Sequence, residues 1–174
     1  YLEAAFLIKV VHRTDDTAKR YQRETSFKIY LTNPSLRCAL FQPITETDSQ
    51  IGNMIETAVY AQWIPRLGAN ITYANWRQSK TAKGEVDIVG IDIAKQKPNW
   101  AVEIKWSDRY VDKPQDLTSL LYFMSQTNLE QAIVTSKTKL DRHQMDSGLL
   151  QFIPVACYAY IIGKNTIYKN RNLY

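Results

Sequence analysis

The chain has little of what thiolate or imidazole chemistry needs. It has only two cysteines, Cys38 and Cys157, and their separation matches no Cys-x-x-Cys or Cys/His zinc spacing. Both are expected to be ordinary reduced, buried thiols, which fits a reducing cytoplasm. The two histidines, His12 and His143, are too few for a hydrolytic zinc site of several imidazoles. Any metal must therefore rest on oxygen ligands, which points to magnesium or manganese. No apolar run approaches the length of a membrane span, and the opening Tyr1-Leu2-Glu3-Ala4-Ala5-Phe6-Leu7 lacks the basic stretch and cleavage site of a signal peptide. A soluble, cytoplasmic protein with no membrane partner is expected. There is no Gly-x-x-x-x-Gly-Lys phosphate loop, no repeat and no low-complexity tract. Charge of one sign is nowhere concentrated: 22 Lys and Arg stand against 17 Asp and Glu, a formal +5 spread along the chain. Such a surface tolerates nucleic acid without establishing that it binds any.

What is present suffices for one well-buried core, since 45% of the 174 residues are hydrophobic. The start at Tyr1 rather than Met, with Leu2, Ala5, Phe6 and Leu7 at helical spacing, reads as a cut from something longer. Residues 1–45 read as a lead-in of strands and a turn joining a missing upstream region, and residues 46–174 as the main domain. The lead-in predicts strands at 7–11 and 27–31, then turn chemistry at Asn33-Pro34-Ser35 and a brief apolar segment, Leu36 to Phe41. The strongest helix pattern covers roughly residues 48–66. It opens with Thr47 and Gln50 at capping-box spacing, carries Ile51, Met54, Ile55, Ala58, Val59 and Gln62 on one face, and is closed by Pro65 and Gly68. Glu56 lies at the border of that stripe, where it either reaches a site beside the sheet or faces water.

Beyond it, Ile71–Ala74 and residues 85–93 read as strands, the second buried by composition. A hairpin loop at 95–99 leads to a partner strand at 100–106. Pro114 suits the first turn of a helix through Met124, and Gln131–Thr135 is the next strand, giving a strand, helix, strand crossover. Residues 139–147 predict a short polar helix, Phe152-Ile153 a short strand, and residues 155–162 an apolar helix ended by Gly163. The pattern as a whole predicts an α/β fold with a mixed central sheet flanked by helices.

The charges of the 100–106 strand are its informative feature. Side chains alternate along a strand, so Glu103 and Lys105 share one side while Val102, Ile104 and Trp106 take the other. A carboxylate and an ammonium in an apolar strand are expensive to bury unless they pair or bind something. Asp87, flanked by Val86 and Ile88, comes alongside from the neighbouring strand of the hairpin. Asp87, Glu103 and the main-chain carbonyl of Ile104 supply the few hard oxygens that magnesium or manganese needs, with places left for water and phosphate. Lys105 beside them would orient or help deprotonate the attacking water and stabilise negative charge at phosphorus. The competing explanation is a structural ion pair in a half-buried hairpin. Basic residues interleaved with Tyr73 and Trp76, namely Arg77, Lys80 and Lys83, are candidate phosphate contacts, as are Lys137, Lys139 and Arg142, although solvated loops account for each singly.

The order Glu56, then Gly84-Glu85-Val86-Asp87-Ile88-Val89, a hairpin loop, and Ala101-Val102-Glu103-Ile104-Lys105-Trp106-Ser107 resembles the PD-(D/E)xK nuclease superfamily. With Lys28–Leu36 and Gly52–Tyr60 added, the chain is similar to the carboxy-terminal domain of unknown function that follows an AAA-type ATPase domain in many archaeal and bacterial proteins. The likeness runs from Tyr1 to about Gly163. It implies a restriction-endonuclease-like fold, metal ligation by Asp87 and Glu103, a catalytic Lys105, and a supporting carboxylate from Glu56. It also implies DNA as substrate and an upstream ATPase domain of the same polypeptide as partner, and it is compatible with a homodimer. The usual Asp before the turn proline is Asn33 here, a structural position. Members of this kind also serve as binding or scaffolding modules, so the alternative function is a catalytically inactive DNA- or protein-binding module of the ATPase.

Overall fold

The computed structural model describes residues 1–15, 26–66, 70–77, 83–92 and 94–171. Eight strands form one mixed sheet with helices on both faces, so the chain is an α/β protein. The first half contains β1 (Ile8–Thr14), β2 (Phe27–Leu31), α1 (Ser35–Leu40), α2 (Ile51–Trp63), β3 (Ile71–Arg77) and β4 (Lys83–Asp92). The second contains β5 (Lys97–Glu103), α3 (Arg109–Asp112), a 3-10 turn (Pro114–Asp116), α4 (Thr118–Thr127), β6 (Gln131–Ser136), β7 (Asp141–Met145), β8 (Gly148–Pro154) and α5 (Val155–Arg171). Across the sheet the order is β2-β1-β3-β4-β5-β6-β8-β7. The pairs β1/β3, β5/β6 and β6/β8 are parallel and the rest antiparallel. The strands of residues 1–45 thus belong to the same sheet as those of 46–174.

Strands with apolar residues on both faces are covered on both faces. On one side Val59, Tyr60 and Trp63 of α2 and Val155, Tyr158 and Ile162 of α5 pack over Tyr73, Ile88 and Val102. On the other, Leu120, Phe123 and Met124 of α4 cover Val86, Val89, Ala101, Val134 and Phe152. The buried stripe of α2 runs through Val59, Tyr60 and Trp63, while Ile51, Met54 and Ala58 are only partly buried. The large aromatic rings set the helix rotation, and this turns Glu56 toward the sheet.

Several expectations are corrected. The helical spacing of residues 1–7 amounts to a single turn, with the Ala5 N–H donating to the Tyr1 carbonyl at 2.9 Å, and does not continue into a helix. The capping box at Thr47 is not made: the Thr47 hydroxyl bonds that of Thr45 at 3.2 Å, and Asp48 Oδ1 accepts the Gln50 N–H at 2.8 Å. Pro65 does follow α2, while Gly68 lies outside the described residues. Pro114 opens the 3-10 turn and the helix proper begins at Thr118. Residues 141–145 are a strand, because a turn at Asp146-Ser147 returns the chain antiparallel along β8. Gly163 does not end α5; a Cβ there would lie 2.7 Å from Gln62 Oε1, so the glycine is where α5 crosses close to α2. Asn33 is structural, its Oδ1 accepting the Ser35 N–H at 2.9 Å and the Ser35 hydroxyl at 2.6 Å. The thiols are free but not buried: Cys38 is half-buried, 3.9 Å from Met54 Sδ, and Cys157 is exposed. Among the described residues, no helix is long and apolar enough to cross a membrane.

Candidate active site

Charge enters the core where β4 and β5 part. β5 pairs with β4 up to Val102 opposite Ile88, and its last residue, Glu103, pairs with Val134 of β6. Beyond the strand, Lys105 stays with β6: its N–H donates to Thr135 Oγ1 at 2.7 Å, and that hydroxyl donates back to the Lys105 carbonyl at 2.9 Å. Val102, Ile104 and Trp106 pack on the α2/α5 side and Ala101 on the α4 side. Alternation therefore carries Glu103 and Lys105 toward α4, where Lys105 Nζ lies 5.7 Å from the Tyr110 ring centroid.

β4 carries one extra residue at this point. Thr72 pairs with Val89 and Ala74 with Val86, so Tyr73 faces both Asp87 and Ile88, a β-bulge. Asp87 stands in the fork, and its Oδ2 accepts the Ile104 N–H at 2.7 Å in place of a main-chain partner. Because Lys105 turns its main-chain groups to Thr135, those of Ile104 turn to the opposite edge, so the Ile104 carbonyl also faces the Asp87 side. From α2, Tyr60 donates its hydroxyl to the Asp87 carbonyl at 2.5 Å.

Two lysines approach this fork. Lys105 Nζ lies 2.7 Å from Glu103 Oε1, while Glu103 Oε2 is buried and has no hydrogen-bond partner among the described residues. Lys28, on the edge strand β2, places Nζ 2.6 Å from Glu85 Oε1, 2.9 Å from Glu56 Oε1 and 3.9 Å from Asp87 Oδ1. Tyr30 also donates to Glu56 Oε1 and stacks on Tyr60 with ring centroids 3.8 Å apart. Asn75 Nδ2 donates to Glu85 Oε2 at 2.9 Å. Glu56 therefore faces the site and not water, and it joins Asp87 through Lys28.

Burial pushes the Asp87 carboxyl well above its ordinary range, and repulsion from Glu103 and Glu56 adds to this, against the pull of Lys105 and Lys28. Burial likewise raises Glu103, opposed by Lys105 and the Asp87 amide. For both lysines burial works against the charge, but the facing carboxylates outweigh it and hold each ammonium protonated above its ordinary range. Among the described residues, four carboxylates and two ammonium groups share the cluster, so with every group ionised the carboxylates exceed the ammonium groups by two.

The residues fit a hard divalent cation. Among the described residues, no three Asp, Glu, His or Cys side chains form a metal-binding group. The oxygens open to an ion are instead Glu103 Oε2 and the Asp87 carboxylate, whose Oδ1 faces Lys28 and whose Oδ2 accepts the Ile104 N–H, with the Ile104 carbonyl on the same edge: two side chains and one main-chain donor. That donor set suits magnesium or manganese.

Of the candidate phosphate contacts, Arg77 and Lys83 are exposed and stand directly opposite each other across β3 and β4, near Glu85; Lys80 lies outside the described residues. Lys137 pairs with Glu46 at 3.3 Å and lies 5.4 Å from the Trp106 ring centroid, and Lys139 pairs with Asp112 at 2.6 Å. Lys28, Tyr30, Tyr60, Asn75 and Thr135 are site residues that were not singled out as such from the sequence. One signal was present: in Phe27-Lys28-Ile29-Tyr30, the outward residues Phe27 and Ile29 are 57% and 56% exposed, so alternation turns Lys28 and Tyr30 inward. No protein-family model, no curated protein and no solved structure matches this chain.

Proposed function

We propose that the domain is a magnesium- or manganese-dependent deoxyribonuclease that hydrolyses phosphodiester bonds, and that it works as the partner of an AAA-type ATPase domain. One observation carries the hydrolytic reading: Glu103 Oε2 is buried without a partner beside Asp87, at a fork in the sheet where a lysine already touches the same carboxylate. An unsatisfied buried carboxylate oxygen is destabilising by about 1–3 kcal/mol, and such groups recur where a ligand completes them. The ATPase partnership rests on the sequence resemblance.

Asp87, Glu103 and the Ile104 carbonyl would hold the cation, which when bound supplies Lewis-acid polarisation of the phosphate and of a water molecule. Lys105, 2.7 Å from Glu103, would serve as a charge stabiliser and hydrogen-bond donor at the phosphate. The water oxygen bonds to phosphorus as its proton passes to solvent, the bond to the leaving sugar oxygen breaks, and that oxygen takes up a proton from solvent. Thr135 orients Lys105 through two main-chain hydrogen bonds, and Asp87 orients Ile104 through one. Arg77 and Lys83, two cations facing each other with repulsion between them, gain from a phosphate placed between or beside them.

The test is cleavage of linear, supercoiled and branched DNA with manganese. Wild-type protein is expected to cut at least one of these, and Asp87→Ala and Lys105→Ala to cut none while staying folded; three untouched substrates would end the enzymatic claim. A second reading, a non-catalytic DNA- or protein-binding module, is favoured by the closed 2.7 Å link between Lys105 and Glu103. Calorimetry separates the two, since a catalytic centre binds manganese through Asp87 and Glu103 and a structural ion pair does not.

A further inference from the structure

Lys28 converges with three carboxylates from two elements, Glu56 of α2 and Glu85 and Asp87 of β4. Its neighbours restrain it. Its Nζ sits 5.1 Å from the Tyr73 ring centroid, Tyr30 on the same strand binds the same Glu56 oxygen, and the outward positions on either side are Phe27 and Ile29. The group it touches most loosely is Asp87, whose Oδ1 lies toward Lys28 and whose Oδ2 lies toward Ile104. Asp87 thus stands between the Lys28 ammonium and the Glu103 carboxylate, where Lys105 takes Oε1 and leaves Oε2, on a side chain 10% exposed, unpartnered among the described residues.

Two-metal phosphodiesterases place their ions roughly 3.5–4 Å apart around a shared carboxylate, to neutralise both the attacking and the leaving oxygen. Here the Lys28 ammonium stands on one side of Asp87 among three carboxylates, while on the other side Lys105 leaves one Glu103 oxygen open. We infer that Lys28 occupies, with its ammonium, the place of a second divalent cation, so that the centre takes a single metal ion on the Glu103 side of Asp87. This rests on the proposed metal-dependent reading and assigns Lys28 as a positioning residue within it. Glu56 and Glu85 then serve to hold Lys28 and do not themselves ligate metal in the wild-type protein.

Manganese titration by calorimetry on the full chain, compared across wild type, Lys28→Arg and Lys28→Met, tests this. One ion is expected in the wild type and in Lys28→Arg, and two in Lys28→Met, whose vacated carboxylates form a second oxygen site. An unchanged single ion in Lys28→Met, or two ions in the wild type, overturns the inference and leaves the hydrolytic reading standing. No ion in the wild type but one in Lys28→Met keeps the role of the ammonium and removes the hydrolytic reading; none in either removes both. Lys28→Met leaves facing carboxylates without a counter-charge, so its thermal midpoint is read with and without manganese. Saturating manganese is expected to raise that midpoint more than it raises the wild-type one, and an equal or smaller rise overturns the inference even if the metal-free variant is unfolded.

Discussion

Lys28 and Lys105 both stabilise Asp87, yet they are held in opposite ways. Lys28 meets three carboxylates, and the Glu56 and Glu85 oxygens around it have further donors in Tyr30 and Asn75. Lys105 meets one carboxylate, and the second oxygen of that carboxylate has no hydrogen-bond partner among the described residues. The Lys28 half is a completed electrostatic unit, in which burial is offset by several charge-assisted contacts. The Lys105 half keeps an uncompensated buried oxygen, which folding alone does not favour. The difference separates a satisfied wall from an open position: the unsatisfied half is where a ligand gains most.

Removing the residue the two halves share breaks the comparison most severely. Asp87→Asn keeps an oxygen for the Ile104 N–H but removes the charge facing both lysines. Cleavage is expected to fall by about 10³-fold or more, with manganese binding lost. Gel assays and calorimetry on the same preparation check this, and retained metal affinity would move the ligand role away from Asp87.

Lys105→Met probes the open half alone. Cleavage is expected to drop by about 10²–10³-fold while the cation still binds, because the role proposed for the lysine is on phosphate and not on the ion. Stability is expected to fall by about 2 kcal/mol in urea denaturation, below the range for a fully buried pair because Lys105 is 28% exposed. A fall in stability with unchanged turnover would make the pair structural. Thr135→Val sharpens the same point indirectly. It removes both hydrogen bonds that anchor the Lys105 main chain, at about 1–3 kcal/mol, and is expected to lower kcat about tenfold with KM little changed, whereas Thr135→Ser restores both.

The open half was legible in the sequence because alternation within one short segment is local: Glu103 and Lys105 share a side whatever the rest of the chain does, and Asp87 lies one hairpin away. The closed half was less so. Lys28 reaches Asp87 only because β1 and β2 extend the sheet beside β3, and Glu56 turns inward only because Tyr60 and Trp63 set the rotation of α2. The bulge at Asp87 is a shift in pairing between β3 and β4, a property of two strands that neither strand's pattern carries. The helix expected at 139–147 failed for a similar reason, since the pairing of Asp141–Met145 with β8 overrides a composition that reads as polar helix.

The smallest effect is expected where a carboxylate near the site is well satisfied but exposed. Asp108, just past Lys105, accepts the N–H groups of Thr138 and Lys139 at 2.8 and 3.1 Å and the Thr138 hydroxyl at 2.6 Å, tying the segment after β5 to the β6–β7 loop. Its slight burial opposes its charge, but the hydrogen bonds led by Thr138 outweigh this and hold the carboxyl down to about 2. A carboxyl lowered by folding contributes stability that is complete above its unfolded value of about 3.9 and is lost as pH falls through the folded value. Asp87 and Glu103, raised by folding, run the other way and favour the metal-free fold as they take up protons. The stability difference between wild type and Asp108→Asn, read by urea denaturation without metal, is therefore expected to be constant above about pH 5 and to shrink toward about pH 2. A difference that held steady across that range would mean the Asp108 contacts act as neutral hydrogen bonds, and the contrast between a satisfied and an unsatisfied carboxylate would then rest on the fork alone.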